Sequence, residues 1–246
     1  MRRLVIVSAV ALAWASSTAV AAPTQFAQFT NNGANDAANG FRWTNYDNFV
    51  TTFDTVNGGA AVDFTFTNVP GLSAQLQGPQ AARIRFDTGS NVSGQELFGQ
   101  LNQPLTAPIS ILIIRDTQAD TGNNNRQNLL TVTVTPASST ALLSGQNGSA
   151  SLNASSPGQI ITFSSDFYDF SNVTASGMGI TFSGILPGLS FSTESGRSML
   201  NSFTAAGVGS FTADLTAVPE PGSLALMGIS GLVLCGVRFR GTRRKP

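Results

Sequence analysis

Apolar and polar residues alternate with a period of two through much of the chain between residues 60 and 215. In 61–67, Val62, Phe64 and Phe66 fall on one side and Asp63 and Thr65 on the other. In 82–87, Ala82, Ile84 and Phe86 alternate with Arg83, Arg85 and Asp87, and in 129–135 Leu130, Val132 and Val134 alternate with Thr131, Thr133 and Thr135. The run 109–114 is almost continuously apolar, which suits a central strand. Shorter pieces of the same kind occupy 159–163, 179–182, 189–191 and 209–215. A period of two with β-branched and phenylalanine enrichment predicts strands. Asn57-Gly58-Gly59, Pro70-Gly71, Asn147-Gly148, Pro157-Gly158 and Pro187-Gly188 punctuate them as turns.

No amphipathic helix of useful length stands out, although 93–101 would accept short helical turns. Many short strands joined by Gly, Pro and Asn turns predict an all-β domain, a β-sandwich or jelly-roll-like body. A β-solenoid would need a repeat of fixed period, and none is visible. The domain is expected to fill 22–215 as one exported β-rich unit.

The two ends of the chain differ from this middle. Arg2 and Arg3 precede an apolar stretch, 4–14, and Ala19 and Ala21 then supply the small residues that a signal peptidase reads at −3 and −1. Residues 1–21 are therefore expected to be a signal peptide, with Ala22 as the first mature residue. At the other end, Val218, Pro219, Glu220 and Pro221 form a turn through which no helix can run, since each proline lacks an N–H and fixes φ. An uncharged run, 222–237, follows, and as a helix it would span roughly 24 Å at ~1.5 Å per residue. The basic segment 238–246, with Arg238, Arg240, Arg243, Arg244 and Lys245, comes last. A buried core helix does not explain five cations after the apolar run. A single C-terminal transmembrane helix does, with the cations on the cytoplasmic side and the body outside.

Proline turn, apolar span and basic cluster in this order resemble the PEP-CTERM sorting signal of Gram-negative bacteria, also known as the ice-binding-protein C-terminal motif. The resemblance covers residues 216–246 alone. It implies recognition by exosortase, a membrane-embedded cysteine protease. It also implies an inner-membrane-anchored precursor with a periplasmic body, delivered afterwards to the cell surface or extracellular matrix.

Composition narrows what the body can do. Of 246 residues only 11% are charged, there is no histidine, and the one cysteine, Cys235, sits in the apolar run of the tail. Between 22 and 215, six arginines stand against twelve carboxylates, a net charge of −6, without a single lysine. An acidic body without a basic stripe argues against nucleic acid. Ser-His-Asp, Cys-His and Ser-Lys catalysis lack their bases, and zinc sites built from His and Cys lack their ligands. The expectation is a protein that is not an enzyme and holds no cofactor or metal. Carboxylate chemistry of the glycosidase type is all that survives, and the body's two glutamates, Glu96 and Glu194, sit in no recognisable motif.

Aromatic side chains mixed with amides and acids can stack on sugar faces and bond sugar hydroxyls. Two stretches have that mixture: 41–49, with Trp43 and Tyr46, and 166–172, with Tyr168. The plainer reading of the first is an edge strand with Trp43 in the core. The oxygen-rich loop 115–126 lacks EF-hand spacing and reads as a solvated hairpin loop rather than a Ca²⁺ site. Thr131, Thr133 and Thr135 form one threonine row, too little for an ice-binding array. The expected function is a surface-sorted structural or interaction component of the cell surface or its polysaccharide layer. A carbohydrate-binding module is the alternative, and a glycan-active enzyme stands third.

Overall fold

A computed structural model of the chain describes residues 22–32, 40–47, 49–116 and 127–215. The expected signal peptide, most of the loop 115–126 and the whole sorting tail lie outside the described residues. Within them the protein is all-β. The first strands are β1 (Thr24–Asn31), β2 (Phe41–Asn45), β3 (Thr51–Thr55), β4 (Ala60–Phe66) and β5 (Gln80–Ser90). A hairpin follows, β6 (Gln95–Leu97) and β7 (Gln100–Leu105), then β8 (Ile109–Arg115), β9 (Asn128–Pro136), β10 (Ala141–Gln146), β11 (Ser149–Ser155) and β12 (Gln159–Ser164). The chain closes with β13 (Ser176–Leu186), β14 (Phe191–Glu194), β15 (Arg197–Leu200) and β16 (Phe203–Ala213). The helical turns allowed for 93–101 are instead the β6–β7 hairpin, whose turn residues Phe98 and Gly99 take φ of 52° and 79°. Among the described residues no helix is long and apolar enough to cross a membrane.

Fourteen strands form one antiparallel sheet, and β14 and β15 pair separately. Two positions in the large sheet are shared by strands laid end to end. β1 and β2 together face β4 and β3, with Ala27 opposite Phe66 and Asn45 opposite Thr51. A 3-10 turn, Val56–Gly58, breaks β3 from β4, and it is closed by Gly59 N–H donating to the Val56 carbonyl at 3.1 Å. The order across the sheet is β12, β9, β8, β5, then β4 with β3, then β1 with β2, then β16, β13, β11, β10, β7 and β6. β2 is thus an inner strand, between β3 and β16, and not the edge strand expected. β8 is an inner strand, third from one end of the sheet, in keeping with its nearly continuous apolar run.

A flat sheet would hold β1 and β12 roughly 24 Å apart, at about 4.8 Å per strand. Yet the rings of Phe26 on β1 and Phe163 on β12 lie 5.0 Å apart, and so do Phe53 on β3 and Phe182 on β13. The sheet is therefore rolled over on itself into a sandwich-like body with one inner face. Alternate residues line that face: Ala82, Ile84 and Phe86 of β5, Ile109, Ile111 and Ile113 of β8, Leu130, Val132 and Val134 of β9, and Met178, Ile180 and Phe182 of β13 are all buried. Each fully buried phenylalanine contributes about 1.5–3 kcal/mol of transfer free energy. Edge-to-face contacts such as Phe53 on Phe86, at 4.8 Å and 67°, add geometric preference. Gly207 and Gly209 of β16 make room for this crowding. A Cβ on Gly207 would come within 2.6 Å of the Phe41 ring, and one on Gly209 within 2.3 Å of the Phe29 ring.

Polar bonds fasten the roll. Gln103 of β7, wholly buried, donates to Ser90 Oγ of β5 at 3.0 Å and accepts from Leu200 N–H of β15 at 3.3 Å. Gln159 of β12 accepts from Ser155 N–H at 2.8 Å and donates to Ser139 Oγ at 2.8 Å. The two ends of the body meet, because Thr24 pairs with Ala213.

Candidate functional site

The three aromatic side chains singled out in the sequence reach three different places. Trp43 points inward from β2 and has no exposed surface. Its indole N–H donates to the Leu200 carbonyl at 3.1 Å, and Phe203 stacks on its ring at 6.3 Å and 3°. A ring enclosed in this way offers no face to a ligand, so Trp43 is a core residue and does not serve as an exposed glycan contact. Two residues further along the chain turns outward, and Tyr46 is 66% exposed.

Tyr46 opens a turn of its own. Its N–H donates to the Val50 carbonyl at 3.3 Å, and Asp47 Oδ1 accepts from the N–H groups of Phe49 and Val50 at 2.9 and 3.0 Å. Phe49 and Val50 are exposed beside it. The guanidinium of Arg197, from β15, lies 4.8 Å from the Phe49 ring centroid and donates to the Asn91 carbonyl at 3.0 Å. Val50 of this turn also lines an open trough of about 640 Å³ on the outer face of β3, β5 and β8. Its floor is Gly89, where a Cβ would stand only 2.5 Å from the Thr51 carbonyl oxygen. The connection from β7 to β8 forms one wall, because Thr106 and Ala107 N–H both donate to the Gly89 carbonyl, at 3.1 and 3.2 Å. Val50, Thr52, Asp87, Asn91 and Ser110 complete the lining. Asp87 stands opposite Asp54 in the β3–β5 ladder, and Asp54 is held by a two-pronged bond from Arg42 at 3.0 and 3.1 Å.

Tyr168 belongs to a second cleft, of about 760 Å³, along β12 and the loop that follows it. Its ring is half-buried and meets Phe170 edge-on at 4.9 Å. Burial, and after it the charge of Asp169, pushes the Tyr168 hydroxyl above the ordinary tyrosine range. The carboxylates here are occupied by the loop itself. Asp166 accepts from the N–H groups of Gln127 and Asn128 at 3.0 and 2.9 Å. Asp169 accepts from Ser171 N–H at 2.9 Å and Ser171 Oγ at 3.0 Å, which together hold its carboxyl below the usual range.

This loop ends on a buried polar joint that the sequence did not disclose. Asp214, just past β16 and 4% exposed, accepts from Thr174 and Ala175 N–H, both at 2.9 Å, and from the Thr174 hydroxyl. Burial opposes its charge, but these donors outweigh burial and hold the carboxyl below its ordinary value.

Of the oxygen-rich loop, Arg115 and Asp116 are described, and Asp116 pairs with Arg83 at 3.3 Å. Among the described residues no group of three His, Cys, Asp or Glu side chains is placed to hold a metal ion. On β9, Thr133 faces Thr162 of β12 and Ser110 of β8, but Leu112 and Ile160 interrupt the neighbouring positions, so the threonines do not extend into an array. Ala22, at the expected signal cleavage, is the first described residue; Ala19 and Ala21 lie outside.

A rolled antiparallel sheet followed in the sequence by a proline turn, an apolar run and cations defines an all-β body with a C-terminal address. The PEP-CTERM protein-sorting motif matches residues 217–244, two residues beyond the last described position, Leu215. The motif indicates exosortase-dependent sorting to the surface of an exported, membrane-anchored precursor. No curated protein and no solved structure matches the chain.

Proposed function

We propose that the protein is a non-catalytic component of the cell surface or its extracellular polysaccharide matrix. The inner membrane holds it first, with the body periplasmic and Arg238, Arg240, Arg243, Arg244 and Lys245 cytoplasmic, and exosortase then processes it. The observation that carries this reading is the sorting motif at 217–244, set directly behind a sandwich-like body whose last strand ends at Ala213. Val218, Pro219, Glu220 and Pro221 form the recognition element where the chain enters the lipid. Pro219→Ala or Glu220→Ala is expected to leave export intact and to trap the uncut precursor in the inner membrane. Fractionation with one epitope in the body and another after Pro246 follows both parts. Surface delivery of either variant at the wild-type level, tail epitope lost, defeats the role given to the turn.

A second reading, a carbohydrate-binding body, is favoured by one observation: Tyr46 and Phe49 stand exposed on the turn that leads through Val50 into an open trough whose lining includes the Asp87 carboxylate. An open trough with one of its neighbouring acids engaged by arginine suits binding better than glycoside hydrolysis, which needs two free carboxyls flanking an enclosed bond.

A further inference from the structure

We propose that the trough beside the turn of Tyr46 and Phe49 is the ligand-binding face of the protein, and that its ligand is a neutral polysaccharide chain; this rests on the carbohydrate-binding reading above. The argument begins with where the tail leaves the body. Asp214 is bonded to Thr174 and Ala175, so the chain departs toward the tail beside the loop that carries Tyr168. That end of β16, with the Tyr168 cleft beside it, is the one from which the chain continues to the sorting motif at 217–244. β16 runs from there to Phe203, which pairs with Trp43, and its 11 residues cover roughly 30–35 Å at about 3.3 Å each. Tyr46 and Phe49 follow β2 at that distant end, far from Asp214.

The chemistry of the trough selects the ligand class. Tyr46 and Phe49 present apolar ring surface that no core residue covers, which suits the C–H faces of pyranose rings. Ser110 supplies a hydroxyl to the lining and Asn91 an amide NH2, with Asn91 held in place by the Thr106 hydroxyl, which donates to its Oδ1 at 2.9 Å. The trough is open along its length, as a chain requires, rather than closed around one ring. Its lining charge disfavours polyanions. Asp87, the charged side chain of the lining, has no ion-pair partner among the described residues, while Asp54 beside it is paired with Arg42. Arg197, the cation beside Phe49, is engaged by its ring and by the Asn91 carbonyl. A uronate-rich chain would meet repulsion here that a neutral chain does not.

The test is native affinity electrophoresis of the full chain in mild detergent, through gels containing dextran, hydroxyethylcellulose or galactomannan, with alginate as the anionic comparator. At least one neutral polymer is expected to retard the protein and alginate is not. The double variant Tyr46→Ala with Phe49→Ala should weaken the retardation about tenfold, a loss of the size that exposed aromatic anchors carry. Ser110→Trp, which fills the trough from an exposed position on the outer face, should do the same by an independent route. Unchanged circular dichroism shows that each variant is folded. No retardation by any neutral polymer overturns the proposal, as does equal retardation by alginate. Retardation that both variants leave untouched, or that Tyr168→Ala alone abolishes, overturns it as well. A protein that reaches the surface but passes freely through all the gels sinks this inference and leaves the sorting reading standing. One that is retarded but never leaves the inner membrane does the reverse.

Discussion

Where Ala213 meets Thr24, one end of β16 is fastened by a buried carboxylate and the donors that surround it; at the other end, Phe203 stacks on Trp43 and the chain beyond β2 runs out into an exposed turn. Both regions contain an aspartate that accepts two consecutive backbone N–H groups, Asp214 in one and Asp47 in the other. What separates them is water. Asp214 is buried, and its bonds replace solvation that is entirely lost. Asp47 is exposed, and its bonds only fix the shape of a turn. The same local device is a structural joint in one place and a mount for surface aromatics in the other. The comparison teaches that burial, which sequence spacing does not encode at a loop, decides the role.

The largest expected effect is at the joint. Asp214→Ala leaves the N–H groups of Thr174 and Ala175 and the Thr174 hydroxyl without their acceptor, and should cost about 2–4 kcal/mol in urea unfolding. A loss below about 0.5 kcal/mol, the range typical of surface changes, would erase the contrast between the two ends. A pH series sharpens the point. The folded carboxyl of Asp214 titrates below its unfolded value, so its contribution is present above the unfolded pKa and fades as the pH falls through the folded one. The wild type should therefore lose more stability between neutral pH and about pH 3 than Asp214→Asn does. Equal losses would mean that the charge of Asp214 contributes nothing.

At the open end the expected effects are small. Tyr46→Ala and Phe49→Ala should each shift unfolding by no more than about 0.5 kcal/mol, because neither ring is part of the core. Thr52→Val should be neutral or stabilising by up to about 1 kcal/mol. Its Oγ1 is buried with no hydrogen-bond partner, and an apolar group of the same shape removes that cost. A clear destabilisation would show that the hydroxyl has a partner in solution.

The same distinction explains what could be read from the sequence. β4, β5, β9, β12 and the end of β16 announce themselves by β-branched and aromatic residues that alternate with polar ones, and β8 by an almost continuous apolar run. β10 and β11 do not. Their inner positions include Ala141, Ala150 and Ala154, too small to stand out among serines and asparagines. β7 contains Pro104 and sets buried Gln103 between Leu101 and Leu105 on its inward face, which interrupts the apolar row. The end-to-end sharing of sheet positions by β1 with β2 and β3 with β4 depends on register across the whole body and leaves no local trace. Of the site, the stretch around Tyr46 was legible as a mixture of aromatics and polar groups. Which of its rings would be buried was not, since Trp43 and Tyr46 differ only in which side of the β2 exit they take. Nothing near Asp214 in the chain foretells its partners, which lie about forty residues earlier.

The place of β16 in the sheet bears on how the molecule comes into being. It is the last strand made, and it alone joins the β1–β2 side of the sheet to β13. Until residues 203–213 have crossed the membrane, the body exists as two half-sheets with open edges, connected by covalent links and loose apolar contact. Pairings between the first strand and the last are the slowest kind to form, because they close the longest loop. Those residues stand immediately ahead of the sorting motif at 217–244, so the body stays unlatched until almost the whole chain is available. Chains cut short before residue 203 are therefore not slightly smaller versions of the protein. They are unlatched halves, with exposed edges open to pairing with their neighbours.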